Sequence, residues 1–397
     1  MKNSKLIVMF LTFLAMIAIT PFIFGKLMNA KFNQMLNNLK SQGIVINELE
    51  SKSTYLTTDR VFDVKVPGSV IDNNEIDYIH MKVEAVFKNL PVTDVRFKGK
   101  VKELVLKTLD NYQNQKFNEK IKDKIRFLVI TPDFKNYKYT IEDDKIDFDK
   151  EFEVGYSGIN GLFYNKDIKK NTLNIAKFYI KNDRFLAQAN NLKSVRVIEG
   201  NVTSDDSKAN FLIKIEDTNI NVNNFSSHNV ITYAKKVTSV TKADVDNINV
   251  NNQLLINKIE LLNEVKGVDL DTLREIQTNP NPRDEDLIKL LEKGLKLESK
   301  LNIAEVKDKN EKLGFLNLDV KLDVKPTDNL IANINAKDFG FVDFKLKLKT
   351  TPKIANVIIS AFPQALLIFA DAKKEGDAIV VDFEFNNNKV LVNGQAR

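Results

Sequence analysis

Residues 315–325 read FLNLDVKLDVK, and this stretch decides the fold class. Leu316, Leu318, Val320, Leu322 and Val324 alternate with Asn317, Asp319, Lys321, Asp323 and Lys325. A period of two sends successive side chains to opposite faces, so the segment reads as a strand with one apolar and one solvated face. The same alternation recurs at Leu301 to Val306, Leu330 to Ala336 and Val342 to Lys349, each read as a strand. A closing hairpin follows from Ile379 to Phe385 and Val390 to Val392 around Asn386-Asn387-Asn388.

Toward the N-terminus, strands are predicted at Val61 to Val66, Ile79 to Phe87 and Val95 to Val101, with turns near Pro67-Gly68 and Pro91. A helix is predicted over Leu104 to Lys124, then strands at Phe127 to Ile130, Tyr137 to Ile141 and Ile146 to Val154. Leu162 to Val240 is rich in Asn and Lys and only weakly periodic. The pentapeptide INVNN occurs at Ile220 to Asn224 and again at Ile248 to Asn252, either marking equivalent strands of a duplicated unit or arising by coincidence. Short helices are predicted from Asp269 to Ile276 and from Asp284 to Glu298. Ile354 to Ala372 is apolar but contains Asn356, Ser360, Pro363 and Gln364. A helix buried on the sheet is expected there, with a second membrane span as the alternative.

The chain has 397 residues, no Cys, no Trp and two His. The missing Cys excludes disulfides, thiol nucleophiles and Cys-ligated metal centres. The net charge of +6 is concentrated at one end: Lys2, Lys5, Lys26, Lys31 and Lys40 occur among the first forty residues without any acid. The body is therefore nearly neutral, which together with the absence of a recognisable motif argues against nucleic-acid binding. Between Lys5 and Lys26 runs LIVMFLTFLAMIAITPFIFG, a length that matches a membrane span. An uncleaved anchor over residues 1–25 is expected, with the N-terminus cytoplasmic and the body periplasmic at the inner membrane. An amphipathic helix over 26–43 follows. Its stripe of Met28, Phe32, Met35, Leu36 and Leu39 either packs on its own domain or forms a membrane or homodimer surface. The remaining residues, 44–397, form a β-rich body divided near 160–200. The expected fold class is α+β: an N-terminal transmembrane helix, then mainly antiparallel sheets with a few packed helices.

Several segments carry a family resemblance. They are FIFGKLMNAKFNQMLNNLKSQGIVINELE at 22–50, GYSGINGLF at 155–163 and INVNNQLLINKIELLNEVKGVDLDTLREI at 248–276. LIKLLEKGLKLESKLNIAEVKDKNEKLGFLNLDVKLDV at 287–324 and NNNKVLVNGQ at 386–395 complete the set. This layout resembles the YdgA-like family of uncharacterised bacterial proteins. The resemblance implies an inner-membrane anchor and a periplasmic body, and no established reaction. One departure lies in the first hairpin, STYLTTDRVFDV at 53–64, where the family often has Gly-Trp-Phe.

No residue set carries obvious chemistry. His80 and His228 have no ligand partner at metal spacing. Ser157 in Gly-Tyr-Ser-Gly is a poor match to a nucleophile elbow, and Gly155, Gly158 and Gly161 read better as strand bends. The acidic groups Glu142-Asp143-Asp144, Asp205-Asp206 and Asp284-Glu285-Asp286 read as turns and helix starts. Lys345, Lys347 and Lys349 read as a solvated or edge-protecting row, or as a surface for anionic lipid. Asn201 in Glu-Gly-Asn-Val-Thr fits an N-glycosylation acceptor. No catalytic residue, cofactor or metal is expected. The functional expectation is a binding protein for an apolar ligand, a lipid or an envelope protein. The alternatives are an envelope hydrolase using Ser or carboxylates, which requires Ser157 beside His80 or His228, and a dimeric assembly factor.

Overall fold

The computed structural model describes residues 24–71, 73–90, 94–148, 152–165, 168–278, 284–309 and 311–396. Strand accounts for 62% of the structure and helix for 20%, so the protein is mostly antiparallel sheet. The chain divides into two compact units, Met1–Asp183 and Arg184–Arg397.

In the first unit, helix α1 covers residues 24–41. It precedes β1 (Val45–Ser53), β2 (Thr57–Pro67), β3 (Ile76–Lys88) and β4 (Val95–Leu106). Helix α2 (Asn111–Ile121) leads to β5 (Arg126–Thr131), β6 (Asn136–Ile141), β7 (Asp144–Phe148), β8 (Phe152–Ser157), β9 (Ile159–Asn165) and β10 (Lys169–Lys181). Strands β1 to β6 pair antiparallel in chain order. β6 and β7 then pair with β9 and β8, and β10 pairs with both. β6–β7 and β8–β9 thus act as two long strands, the second bent at Gly158, whose φ of 63° suits glycine.

Phe32 anchors α1 on this sheet. Its ring is fully buried, with centroids 5.7 Å from Phe62 and 5.8 Å from both Phe87 and Phe97. α2 does a different job at the end of β4, where β5 no longer pairs. Asn118 accepts from the Leu104 N–H, while Asn114 accepts from the Leu106 N–H and donates to its carbonyl. The two Asn side chains therefore replace the missing strand and protect an edge that would otherwise expose its backbone.

The second unit is a meander of long strands: β11 (Phe185–Glu199), β12 (Val202–Ile215), β13 (Thr218–Thr232), β14 (Lys236–Val250) and β15 (Leu254–Asp269). Helices α3 (Leu270–Thr278) and α4 (Asp284–Glu292) lead to β16 (Leu295–Asp308) and β17 (Glu311–Val324). Next come α5 (Leu330–Asn335), β18 (Val342–Thr350), α6 (Pro352–Ala361), α7 (Leu366–Phe369), β19 (Lys373–Glu375), β20 (Ala378–Asn386), β21 (Lys389–Val392) and β22 (Gln395–Ala396). β11 to β18 pair consecutively, β18 pairs with β20, and β20 carries β19 and β21 on its other side.

Several expectations are corrected. Among the described residues no helix is long and apolar enough to cross a membrane. The α+β fold with a transmembrane helix gives way to mostly antiparallel sheet, and a single-pass inner-membrane location is not supported. The expected anchor over 1–25 falls almost wholly on residues 1–23, outside the described residues. α1, which begins at 24, carries Lys26, Lys31 and Lys40 and turns its apolar stripe onto the sheet. The helix expected over Leu104 to Lys124 shortens to α2, because β4 runs on to Leu106. The strand expected at Leu330 to Ala336 is α5, entered through Asn329 in the left-handed region. Ile354 to Ala372 is broken at Pro363 into short helical pieces: Ile354 and Ala355 are buried where α6 packs on β17, while Val357, Phe362 and Leu366 are exposed. The weakly periodic 162–240 region holds some of the longest strands. The two INVNN copies lie opposite each other on β13 and β14, with Ile220 facing Val250 and Val222 facing Ile248.

Candidate functional site

The feature that stands out is one face of the Arg184–Arg397 sheet. Directly opposed residues of an antiparallel pair share a face, so the register identifies it. One row runs Ala189, Phe211, Val222, Ile248, Ile256 and Val306 across β11 to β16. A second runs Ala243, Leu261, Leu301, Leu318, Leu348 and Val381 across β14 to β18 and β20. A third runs Val265, Leu297, Leu322, Phe344, Phe385 and Val390 from β15 to β21.

Strict alternation would put the first row on the wrong side: Ile256 and Leu261 are an odd number of residues apart. A crease restores them to one face. β12 runs straight, and so does β17 from Gly314 to Val324, but β13 has an extra residue against β12, and β16 has one against that part of β17. β14 and β15 keep register with these neighbours, so they reverse parity at the same level. Asn224 and Lys258 mark the crease, with φ of 52° and 51°. On the opposite side the crease is lined by polar groups. The Asn224 N–H donates to Asn210 Oδ1 at 2.6 Å, and Asn224 Nδ2 donates to Asp246 Oδ2 at 2.7 Å.

Among the described residues the apolar face has no second layer over most of its extent. Ala209, Val306, Leu348 and Val381 are buried, but most of its Leu, Ile, Val and Phe side chains are only half-buried. The helices pack mainly at the strand ends, α3 against β15, α6 against β17 and β20, and α7 against β20. A polar row on this face satisfies itself: Thr241 Oγ1 donates to Asn229 Oδ1 at 2.9 Å, and Ser299 Oγ to Asn263 Oδ1 at 2.6 Å.

The other face is charged and internally neutralised. Lys345, Lys347 and Lys349 lie on β18, an interior strand, so they protect no edge. They stand 3.3 Å from Glu384, 3.6 Å from Asp382 and 3.1 Å from Glu375 respectively.

In the Met1–Asp183 unit, the stripe of Met28, Phe32, Met35, Leu36 and Leu39 packs on its own sheet. Beside it lies an apolar cleft of about 280 Å³, lined by Leu36, Leu39, Met81, Val83, Phe127 and Val129 among others.

The residues weighed for chemistry do not converge. His80 Nε2 is 2.6 Å from Asp63 and its Nδ1 is 3.8 Å from Glu103, which also accepts from Tyr78 Oη at 3.1 Å. Burial pushes the Tyr78 phenol upward, and the Glu103 contact adds to it. Ser157 sits in β8 opposite Lys177, inside regular sheet, with the Tyr179 ring lying over Gly155. No hydrogen bond among the described residues joins Ser157 to a histidine. His228, in the other unit, pairs with Asp206 at 2.7 Å. Asp205 binds Arg196 at 2.5 Å and Asp143 accepts from the Gly158 N–H at 2.7 Å, so both serve structure. No acidic or histidine group suited to a metal ion occurs among the described residues. Asn201 is exposed in the β11–β12 turn, where its Nδ2 donates to the Tyr233 carbonyl at 3.0 Å.

Comparison with known proteins finds no matching family model, curated protein or solved structure, so no family is identified, the YdgA-like one included.

Proposed function

We propose that this chain is a binding protein for apolar, chain-like ligands, holding the acyl portion of an amphiphile against the face of the Arg184–Arg397 sheet. The observation that carries this reading is the uncovered apolar face itself. Each row described above crosses six strands, roughly 24 Å at the usual strand spacing. That exceeds the ~15 Å of one leaflet of a bilayer's hydrocarbon core, so an extended acyl chain fits along it. The backbone groups are already paired in the ladder, so the face asks for no polar partner. Its composition favours lipid over protein. Protein interfaces concentrate their energy in Trp, Tyr and Arg, whereas these rows contain Leu, Ile, Val, Phe and Ala.

The test is saturable binding of a fluorescent long-chain fatty acid to the full chain, with mass spectrometry of lipids extracted from the purified protein. Leu301 lies between Leu261 and Leu318 at the centre of the face, so Leu301→Glu should weaken binding at least about tenfold. Lys300→Glu, one residue away on the opposite face, should bind normally. Absence of saturable binding, or equal binding by Leu301→Glu with an unchanged circular dichroism spectrum, would overturn the reading.

A further inference from the structure

The outer face of the Met1–Asp183 sheet carries a row of like charges in direct opposition. Lys82 on β3 faces Lys100 on β4, and Lys100 faces Arg126 on β5. Like charges placed opposite one another on adjacent strands destabilise a sheet unless something compensates them. Lys98 and Lys102 flank the row, and the five cations border a concavity of about 390 Å³.

The local acids do not neutralise this cluster. Asp123 stands 3.2 Å from Lys100 and 3.1 Å from Lys102. Burial pushes its carboxyl up, but hydrogen bonds and charge from Lys102 and Lys100 outweigh this and hold it below the usual range. Glu142 is 3.7 Å from Arg126. Glu84 faces Lys98 without an ion pair, and Asp63, opposite Lys82, is engaged by His80. Lys82 and Lys98 have no ion-pair partner among the described residues, and both are exposed. The concavity therefore holds two uncompensated ammonium groups beside a guanidinium and two further lysines.

From this arrangement we infer that the Lys82, Lys100 and Arg126 row is a binding site for a phosphate-bearing ligand. Several cations converging on one hollow call for an occupant with more than one negative charge. Arg offers paired donors matched to phosphate oxygens, and the lysines act as mobile point charges around it. The site lies in the Met1–Asp183 unit, so it does not depend on the acyl-chain reading, which concerns the sheet of the other unit.

Titration calorimetry of the full chain with inorganic pyrophosphate tests the site without any apolar contribution. Saturable binding is expected, weakened at least tenfold in Lys82→Gln and in Arg126→Gln, and unchanged in Lys242→Gln, which alters an exposed lysine of the other unit. Sedimentation with vesicles of phosphatidic acid, compared with phosphatidylcholine alone, identifies the source. Binding to the former that both site variants lose marks a lipid headgroup, whereas pyrophosphate binding without sedimentation marks a soluble phosphate. Lack of saturable binding to either probe, or equal binding by the site variants, overturns the inference.

Discussion

Glu48 on β1 holds the guanidinium of Arg60 on β2 with both carboxylate oxygens, at 2.8 Å from Nε and 2.6 Å from Nη2. The same guanidinium donates to Asn33 of α1 at 2.7 Å and lies 4.9 Å from the centre of the Phe32 ring. One arginine thus ties the helix to the sheet. The hydrogen bond from Arg60 lowers the Glu48 carboxyl, against the upward push of burial. A depressed carboxyl contributes stability above its unfolded value of about 4.5, and that contribution fades as pH falls through the lower folded value. Glu48→Gln is expected to cost about 1–2 kcal/mol at neutral pH, reduced from the full value of a charged hydrogen bond by the partial exposure of Glu48. Denaturant melts should show the gap between variant and wild type narrowing as pH drops below 4.5.

Phe32 is the centre of the same assembly. Phe32→Ala removes a fully buried ring from among Phe62, Phe87 and Phe97, and should destabilise the Met1–Asp183 unit by about 3–5 kcal/mol. The loss should appear first in α1, since no other helical side chain of that segment is fully buried. Hydrogen exchange across residues 24–41 is the measurement. Accelerated exchange in α1 with β2 to β4 still protected is the expected outcome.

Glu153 and Tyr179 make a second pH-sensitive pair. Tyr179 Oη donates to Glu153 Oε1 at 2.5 Å, and Lys181 and Lys145 stand at 3.1 and 3.3 Å. The tyrosine hydrogen bond, with help from the lysines and against burial, lowers the Glu153 carboxyl to about 2. The same bond, with burial, pushes Tyr179 up to about 12. The glutamate's contribution is therefore complete above about 4.5 and lost as pH falls toward about 2. The tyrosine's contribution is complete below about 10 and lost as pH rises through about 12. Tyr179→Phe should move the Glu153 titration, followed by carboxyl NMR, upward toward 4.5. It should also lower thermal stability at neutral pH and flatten its decline between about 4.5 and 2, since less of the carboxyl's contribution remains to be lost.

The alternation of Leu318, Val320, Leu322 and Val324 with charged neighbours was readable because β17 runs straight from Gly314 onward and has one wet face. The lysines of β18 were readable as one face, but not as an interior, neutralised row, since Asp382 and Glu384 come from β20 beyond two intervening helices. β11 to β14 were not readable for a different reason. The apolar periodicity of β11, β13 and β14 is interrupted at Asn191, Asn224 and the level of Asp246, so a period-two pattern is lost halfway along each of these three strands. The apolar face itself emerges only from cross-strand register, which no single segment contains.

The crease gives a prediction that links backbone to ligand. Lys258 holds a left-handed conformation that costs a non-glycine residue about 1–2 kcal/mol, whereas glycine adopts it freely. Lys258→Gly should therefore stabilise the Arg184–Arg397 unit, less the cost of a more flexible unfolded chain. Asn224 is different, because Asn tolerates this region and its side chain bonds Asp246. Asn224→Val combines a β-branched side chain at positive φ with loss of that bond and should destabilise by about 2–3 kcal/mol. If the chain escaped that strain by straightening β13, Val222 and Ile220 would turn to the face now held by Asn221 and Asn223. Fatty-acid binding should then fall with stability in Asn224→Val and stay intact in Lys258→Gly. Calorimetric melting and fluorescent fatty-acid titration of the two variants separate these outcomes, and loss of binding in Lys258→Gly would show that the crease does not serve the apolar face.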